Sequence, residues 1–317
     1  MTELLITNDS NMYAPIVQEG VEWQTERVGT PGKLTFKVLK DDKLDITEGN
    51  NVIFKDGNDN IFNGFIFTKK RDKDGIITIT AYDQLRYFKN KDTYVYENKT
   101  ASQVIEMIAK DFRLQTGGIT DTKYKIASRV EDDQTLFDIA QNALDVTLTN
   151  TNTMYVLFDD YGKLTLKALA DMNVDLIIDE TSGENYDYTS TIDEQTYNQI
   201  KLYRDNEDTG KRDVWIAKHS ENINKWGVLQ LSESIEAGEN GKAKADALLK
   251  LYNAKTRKLS LSNIKGDNRV RAGSMVVVML DLGDVKVQSY MLVESCKHTY
   301  KHDEHMMNLT VRGGEFV

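Results

Sequence analysis

One pattern occurs twice in this chain, and it constrains the fold more than any other feature. ITEGNNVIFKDGNDNIFNGFIFTKK, followed by IITITAYD, and VRAGSMVVVMLDLGDVKVQSYMLVESCK, followed by MMNLTVRG, present the same order of elements. In each, a glycine able to turn the chain, Gly49 or Gly273, leads into an apolar strand, so that Val52, Ile53 and Phe54 correspond to Val276, Val277 and Val278. A charged, Gly-containing hairpin follows in both. The turn lengths differ, so the pattern reads either as a duplicated β unit or as two three-stranded meanders that agree by chance. Under duplication, a trimer presents six similar units in a ring and can match a six-fold partner.

The flanking segments fill in the order. From Val21 to Asp83, KLTFKVLK, NVIFKDG, IFNGFIFTKK and IITITAYD alternate apolar residues with turns. Lys55-Asp56-Gly57 and Lys73-Asp74-Gly75 supply the positive φ angles of tight hairpins, so a meander or small barrel is expected. Near Tyr94 the character changes. TASQVIEMIAKDFRL offers Thr100 as an N-cap and sets Val104, Ile105, Ile108 and Phe112 near one helical face. DDQTLFDIAQNALDVTLTNT predicts a second helix through Leu136, Ile139, Ala140, Ala143 and Leu144. TMYVLFDD and KLTLKAL then meet across Asp160-Tyr161-Gly162. After Thr191 come the strands YNQIKLYRD and DVWIAKHS, a helix in GKAKADALLKLYNAKTRK, and three closing strands. The expected fold is mainly β with an α+β insertion: a first β unit over 1–93, a middle α+β domain over 94–191, and a second β unit with one helix over 192–317.

Composition excludes several classes. With 317 residues, 40% hydrophobic and 28% charged, the chain is long enough for two or three domains with their own cores and has an ordinary globular balance. The single cysteine, Cys296, has no intramolecular disulfide partner and sits in an apolar context that predicts burial, consistent with folding in the cytosol. MTELLITNDSNMY lacks a basic leader and a long apolar run, and no stretch approaches the roughly 18 apolar residues of a membrane span. A net charge of −10 repels phosphates, so sequence-specific DNA binding is not expected.

His298, His302 and His305, with Asp303 and Glu304, resemble a short metal cluster, but the predicted strand end and hairpin tip favour solvated side chains. Asp132-Asp133 and Asp159-Asp160 are adjacent carboxylates that do not face one another across a substrate. The first pair suits the start of the second helix, and Asp160 suits a turn. No G-x-S-x-G elbow or Gly-rich phosphate loop occurs, and no motif near Cys296 stabilises a thiolate. No catalytic, cofactor-binding or metal-ligating residue is expected, and the chain reads as a non-enzyme. Lys242, Lys244, Lys250, Lys255, Arg257 and Lys258, against Asp246, read either as a solvated helix face or as a docking surface for an acidic neighbour. Trp23, Tyr94, Tyr96, Trp215 and Trp226 read as core residues or as interface anchors.

Three long strings carry a family resemblance. ITAYDQLRYFKNKDTYVYENKTASQVIEMIAKDF, TLFDIAQNALDVTLTNTNTMYVLFDDYGKLTLK and VRAGSMVVVMLDLGDVKVQSYMLVESCKHTYKHDEHMMNLTVRGGEFV resemble the XkdQ-like hub family of defective prophages, contractile phages and R-type bacteriocin-like particles. The resemblance implies two tube-like β-barrel domains related to those of phage late-control D proteins. It also implies a homotrimeric baseplate hub between tail tube and spike, with tail tube protein, spike protein and wedge or LysM-containing baseplate proteins as partners. Such a hub assembles in the bacterial host cytoplasm and resides in the virion or tail-like particle. A type VI-like spike component and a tail-associated peptidoglycan hydrolase are the alternatives.

Overall fold

Alternating apolar and polar residues over the first eighty positions produce seven strands: β1 (Thr2–Asn8), β2 (Asn11–Tyr13), β3 (Val17–Glu26), β4 (Lys33–Leu39), β5 (Asn51–Asp56), β6 (Asp59–Arg71) and β7 (Ile76–Tyr82). In β4 the period of two buries Leu34, Phe36 and Val38 and leaves the residues between them partly exposed. A 3-10 turn (Gln84–Lys89) leads into β8 (Lys91–Thr100), α1 (Ala101–Asp111), β9 (Thr116–Ile119), β10 (Lys125–Thr135), α2 (Leu136–Thr151), β11 (Tyr155–Asp159) and β12 (Leu164–Ala168). Next come β13 (Asn173–Asp179), β14 (Asn185–Thr191), β15 (Gln199–Asn206), β16 (Lys211–Lys218), α3 (Ser220–Trp226), β17 (Gln230–Ser234) and α4 (Gly241–Tyr252). The last strands are β18 (Thr256–Lys265), β19 (Met275–Asp281), β20 (Lys286–Lys301) and β21 (Glu304–Arg312). This computed structural model describes residues 2–313 apart from 42, 195, 207–209, 236–239 and 284, so the C-terminal end of the second expected β unit lies outside the described residues. The described residues are mainly β, with 54% strand and 18% helix. Among the described residues no helix is long and apolar enough to cross a membrane.

The repeated pattern is built twice in atomic detail. Gly49 and Gly273 have φ of 91° and 92°. Gly49 N donates to Ile66 O at 2.8 Å and Ile66 N to Asn50 O at 2.9 Å; Gly273 N donates to Val293 O at 2.8 Å and Val293 N to Ser274 O at 2.8 Å. The preceding turn matches too: Thr47 N donates to Asn50 Oδ1 as Arg271 N donates to Ser274 Oγ. A register shift follows at the same place, between Ile66 and Thr68 against β7 and between Val293 and Ser295 against β21. The strand orders are therefore parallel, β3-β4-β7-β6-β5 in the first copy and β14-β18-β21-β20-β19 in the second.

Among the described residues no closed barrel is formed, and the two copies instead share one sheet. The first edge strand of copy one, β3, pairs with β20 of copy two over Val21–Glu26 and Ser295–Tyr300, producing a 13-stranded sheet whose strand order is open. An edge satisfied by the other copy has no need to curl back onto its own. The chain accordingly divides differently from 1–93, 94–191 and 192–317. One compact unit comprises Met1–Tyr186 with Ser260–Gly314, and the other Asp187–Leu259.

Within the larger unit, the middle α+β segment packs α1 and α2 around Val104, Ile105, Ile108, Leu136, Ile139 and Ala143. Thr100 caps α1 in a reciprocal capping box with Gln103, and Thr135 caps α2. The smaller unit runs from within β14 to the first residues of β18. Its three-stranded sheet, β16-β15-β17, buries Ile200, Leu202 and Ala217 with Ala245 of α4. Its ends meet: Thr256 Oγ1 donates to Glu194 O at 2.7 Å, and Thr196 Oγ1 to Ala254 O at 2.9 Å.

Candidate functional site

The join between the two copies gathers the densest set of polar and aromatic side chains. Residues of β20 alternate across the strand, so Cys296, His298 and Tyr300 all point inward and are buried. His298 lies opposite Trp23 in the β3–β20 register, and their rings stack with centroids 5.0 Å apart. Tyr300 stacks on His305 at 4.2 Å and meets Phe54 edge-on at 4.9 Å.

Hydrogen bonding sets the histidine tautomers. His298 Nε2 lies 2.9 Å from Val270 O, which can only accept, so Nε2 carries the proton. Its Nδ1 then accepts from His305 Nε2 at 2.7 Å. Burial, with His305 adding to it, lowers the His298 pKa to about 4, so the ring is neutral. The Cys296 Sγ sits 3.0 Å from His298 Nε2, and burial pushes its thiol well above the ordinary range. His298 is buried and bonded to the half-buried His305, which corrects the expectation of solvated side chains. His302 and Asp303 do occupy the hairpin tip, both at positive φ.

A second buried cluster lies beside the first. Arg271, in the turn preceding Gly273, places its guanidinium 4.1 Å above the Phe158 ring and 5.8 Å from that of Trp23. Asp83 accepts from Gly32 N at 2.9 Å and Leu85 N at 3.0 Å, and Asp159 accepts from Gly162 N at 2.6 Å. Burial raises the pKa of both carboxyls, and the charge of Asp159 adds to the effect on Asp83. The arrangement holds turns and strand ends together. Asp83 was not singled out in the sequence, although its place just before a short helical turn is an N-cap signal.

The other candidates scatter. Asp132 and Asp133 lie not at the start of α2 but in the β8–β10 ribbon, where the register shifts between Glu131 and Gln134. Asp132 accepts from Thr93 Oγ1, and Asp133 pairs with Lys91 at 3.0 Å. Asp160 closes the β11–β12 hairpin through its backbone. Helix α4 ends at Tyr252, so Lys255, Arg257 and Lys258 leave the helical face that carries Lys242, Lys244 and Lys250. Trp23, Tyr94 and Tyr96 are core residues.

A cleft of about 480 Å³ opens at the end of this join, with Leu4, Val21, Phe54 and Tyr300 on its apolar side and Asp56, Asp303 and Glu304 among its polar lining.

Comparison with known proteins adds the family context. A YqbQ-like family profile matches residues 21–312. Over 98% of this chain, 30% of residues are identical to the uncharacterized protein YqbQ of Bacillus subtilis, of which 96% is covered. The phage-like element PBSX protein XkdQ of Bacillus subtilis is also 30% identical, with 98% and 97% covered. Among solved structures, the 43 kDa tail protein of prophage MuSo2 from Shewanella oneidensis shares the fold with a TM-score of 0.71, 12% identity and 98% of both chains covered.

Proposed function

The chain belongs to the YqbQ-like family, and from that premise we propose that it is a structural tail protein, the baseplate hub of a contractile phage tail or tail-like particle. The observation that carries this reading is the twofold occurrence of one five-strand arrangement, with the same glycine-led turn and the same register shift after it, joined edge to edge within one chain. Three such chains supply six similar units, which adapts a three-fold spike to a six-fold tube without a second kind of subunit. In this role the homotrimer contacts tail tube protein on one side and spike on the other, with wedge or LysM-containing baseplate proteins around it.

The work assigned is mechanical. Thrust is carried by a continuous hydrogen-bonded sheet whose join is packed with aromatic rings and the buried, neutral His298. The adjacent carboxylates have structural duties: Asp159 holds a turn, Asp132 and Asp133 brace a bulge. A reconstruction of the assembled particle tests the proposal. Three copies at the end of the tube are expected; six copies, or a peripheral position, would overturn it. Lysis of purified cell walls in a turbidity assay would overturn the non-enzymatic part.

A further inference from the structure

The cleft at the end of the β3–β20 join is built like a ligand site. Leu4, Val21, Phe54 and Tyr300, all buried, form an apolar floor under about 480 Å³ of open space. The rim is acidic: Asp56 comes from the β5–β6 hairpin, and Asp303 and Glu304 come from the β20–β21 hairpin. Among the described residues that line the cleft, Lys301 alone is a lysine or arginine. Asp56 is held in place. Asn268 Nδ2 donates to Asp56 at 3.1 Å and to Asp59 at 2.9 Å, while Asn268 Oδ1 accepts from the Tyr300 hydroxyl at 2.9 Å. Burial, and then the charge of Asp56, pushes that hydroxyl well above the ordinary tyrosine range, so a negative potential reaches the floor. His305 adds an acceptor. Its Nε2 donates to His298 Nδ1, which leaves its own Nδ1 with a lone pair that no described residue satisfies. Burial lowers the His305 pKa against the pull of Asp56 and Asp267, which keeps the ring neutral. The ring is fixed by Tyr300, stacked at 4.2 Å, and by the backbone of Gly266, where a Cβ would collide with it.

We propose that this cleft binds a basic group carried on an apolar stem. The cation meets Asp56, Asp303 and Glu304, one of its N–H groups reaches His305 Nδ1, and the carbons of the stem lie on Phe54 and Tyr300. A concave site of this volume, apolar at the base with a few converging polar groups, is the usual form of a ligand pocket. Arginine suits the donor pattern better than lysine. Its planar guanidinium donates in several directions at once and lies flat on an aromatic ring, whereas an ammonium is a compact, strongly hydrated charge. Acceptors fixed before the ligand arrives also lower the ordering cost of binding. The same chemistry is offered by a free alkylguanidine and by an arginine side chain on a protein segment.

Magnetic resonance of the full-length protein, labelled only in its 4 histidines, tests this during titration with acetyl-arginine amide. A saturable shift of the His305 ring signals is expected, with His219, in the smaller unit, unmoved. Acetyl-citrulline amide has the same shape without the charge and is expected to bind about tenfold more weakly. Asp303→Asn with Glu304→Gln, both exposed, is expected to weaken arginine binding by about fivefold. Asparagine tolerates the positive φ of Asp303, and unchanged His298 signals report that the join stays folded. No saturable shift at His305 would overturn the proposal, as would equal binding of the citrulline compound or a double variant that binds as the parent does. Agmatine and an Ala-Arg-Ala peptide separate the two sources: tighter agmatine binding assigns a free alkylguanidine, and tighter peptide binding a protein segment. The position of the chain in a particle plays no part in these outcomes, so the hub reading stands or falls by the reconstruction alone.

Discussion

Gly49 and Gly273 adopt the same backbone, yet their surroundings differ. A Cβ at Gly49 meets nothing within 4 Å, while one at Gly273 lands 2.5 Å from Val156 Cγ1. Alanine at either position is strained by the positive φ, a cost of roughly 1–2 kcal/mol. Gly273→Ala is expected to be the more destabilising in urea titrations, and Val156→Ala to relieve part of the difference; equal losses would contradict this packing account. His298 makes a second prediction. Its pKa is lowered to about 4 from an unfolded value of about 6.5, so the unfolded chain gains a proton first as pH falls. Its contribution is complete above pH 6.5 and is lost down to pH 4, by roughly 3 kcal/mol. Asp83 and Asp159 act in the opposite sense, because their raised pKa values make the folded state relatively more stable as pH falls. The difference between the wild type and His298→Gln across this window isolates the histidine: the variant should show a weaker acid loss. The HTYKHDEH string showed three histidines but not their sides. Strand parity points His298 inward, and only the pairing with Trp23 says what it meets.

At the scale of elements, local signals were most legible where a short-range hydrogen bond decides the outcome. Thr100 was identified as an N-cap from sequence, and it accepts from Gln103 N while Gln103 Oε1 accepts from Thr100 N. Thr100→Ala is expected to lower stability by about 1 kcal/mol, read as a shift in the urea midpoint without a change in slope. The start of α2 was placed too early, since Asp132 and Asp133 carry charges suited to a first turn. Ribbon pairing with β8 claims them instead, and Asp133 takes φ of 48° in the bulge. No apolar alternation marks β14, which is largely exposed along its length, whereas β18 carries only a short alternation, burying Leu259 and Leu261.

For the whole molecule, insertion is the organising event. Residues Asp187–Leu259 form a unit with its own core, and within it the segments around Glu194–Thr196 and Ala254–Thr256 meet by hydrogen bonds. Replacing residues 195–255 by a short Gly-containing turn is therefore expected to leave the larger unit folded, with its melting temperature within a few degrees of the parent by circular dichroism. Loss of the cooperative transition would show that the smaller unit supports the larger. The expected boundary at 191–192 falls close to where this insertion begins, but its end at Thr256 went unseen, and with it the return to the first sheet.

The sequence alone determined most of the strand and helix types, the Thr100 cap, the double occurrence of a glycine-led β pattern, and the mainly β class, because each depends on residues within a few positions of one another. Only the tertiary structure decided that β3 joins β20 in one sheet, and that His298 faces inward against Trp23. Strand pairing links residues separated by more than 250 positions, and backbone hydrogen bonds leave no signature in the side chains that make up a sequence.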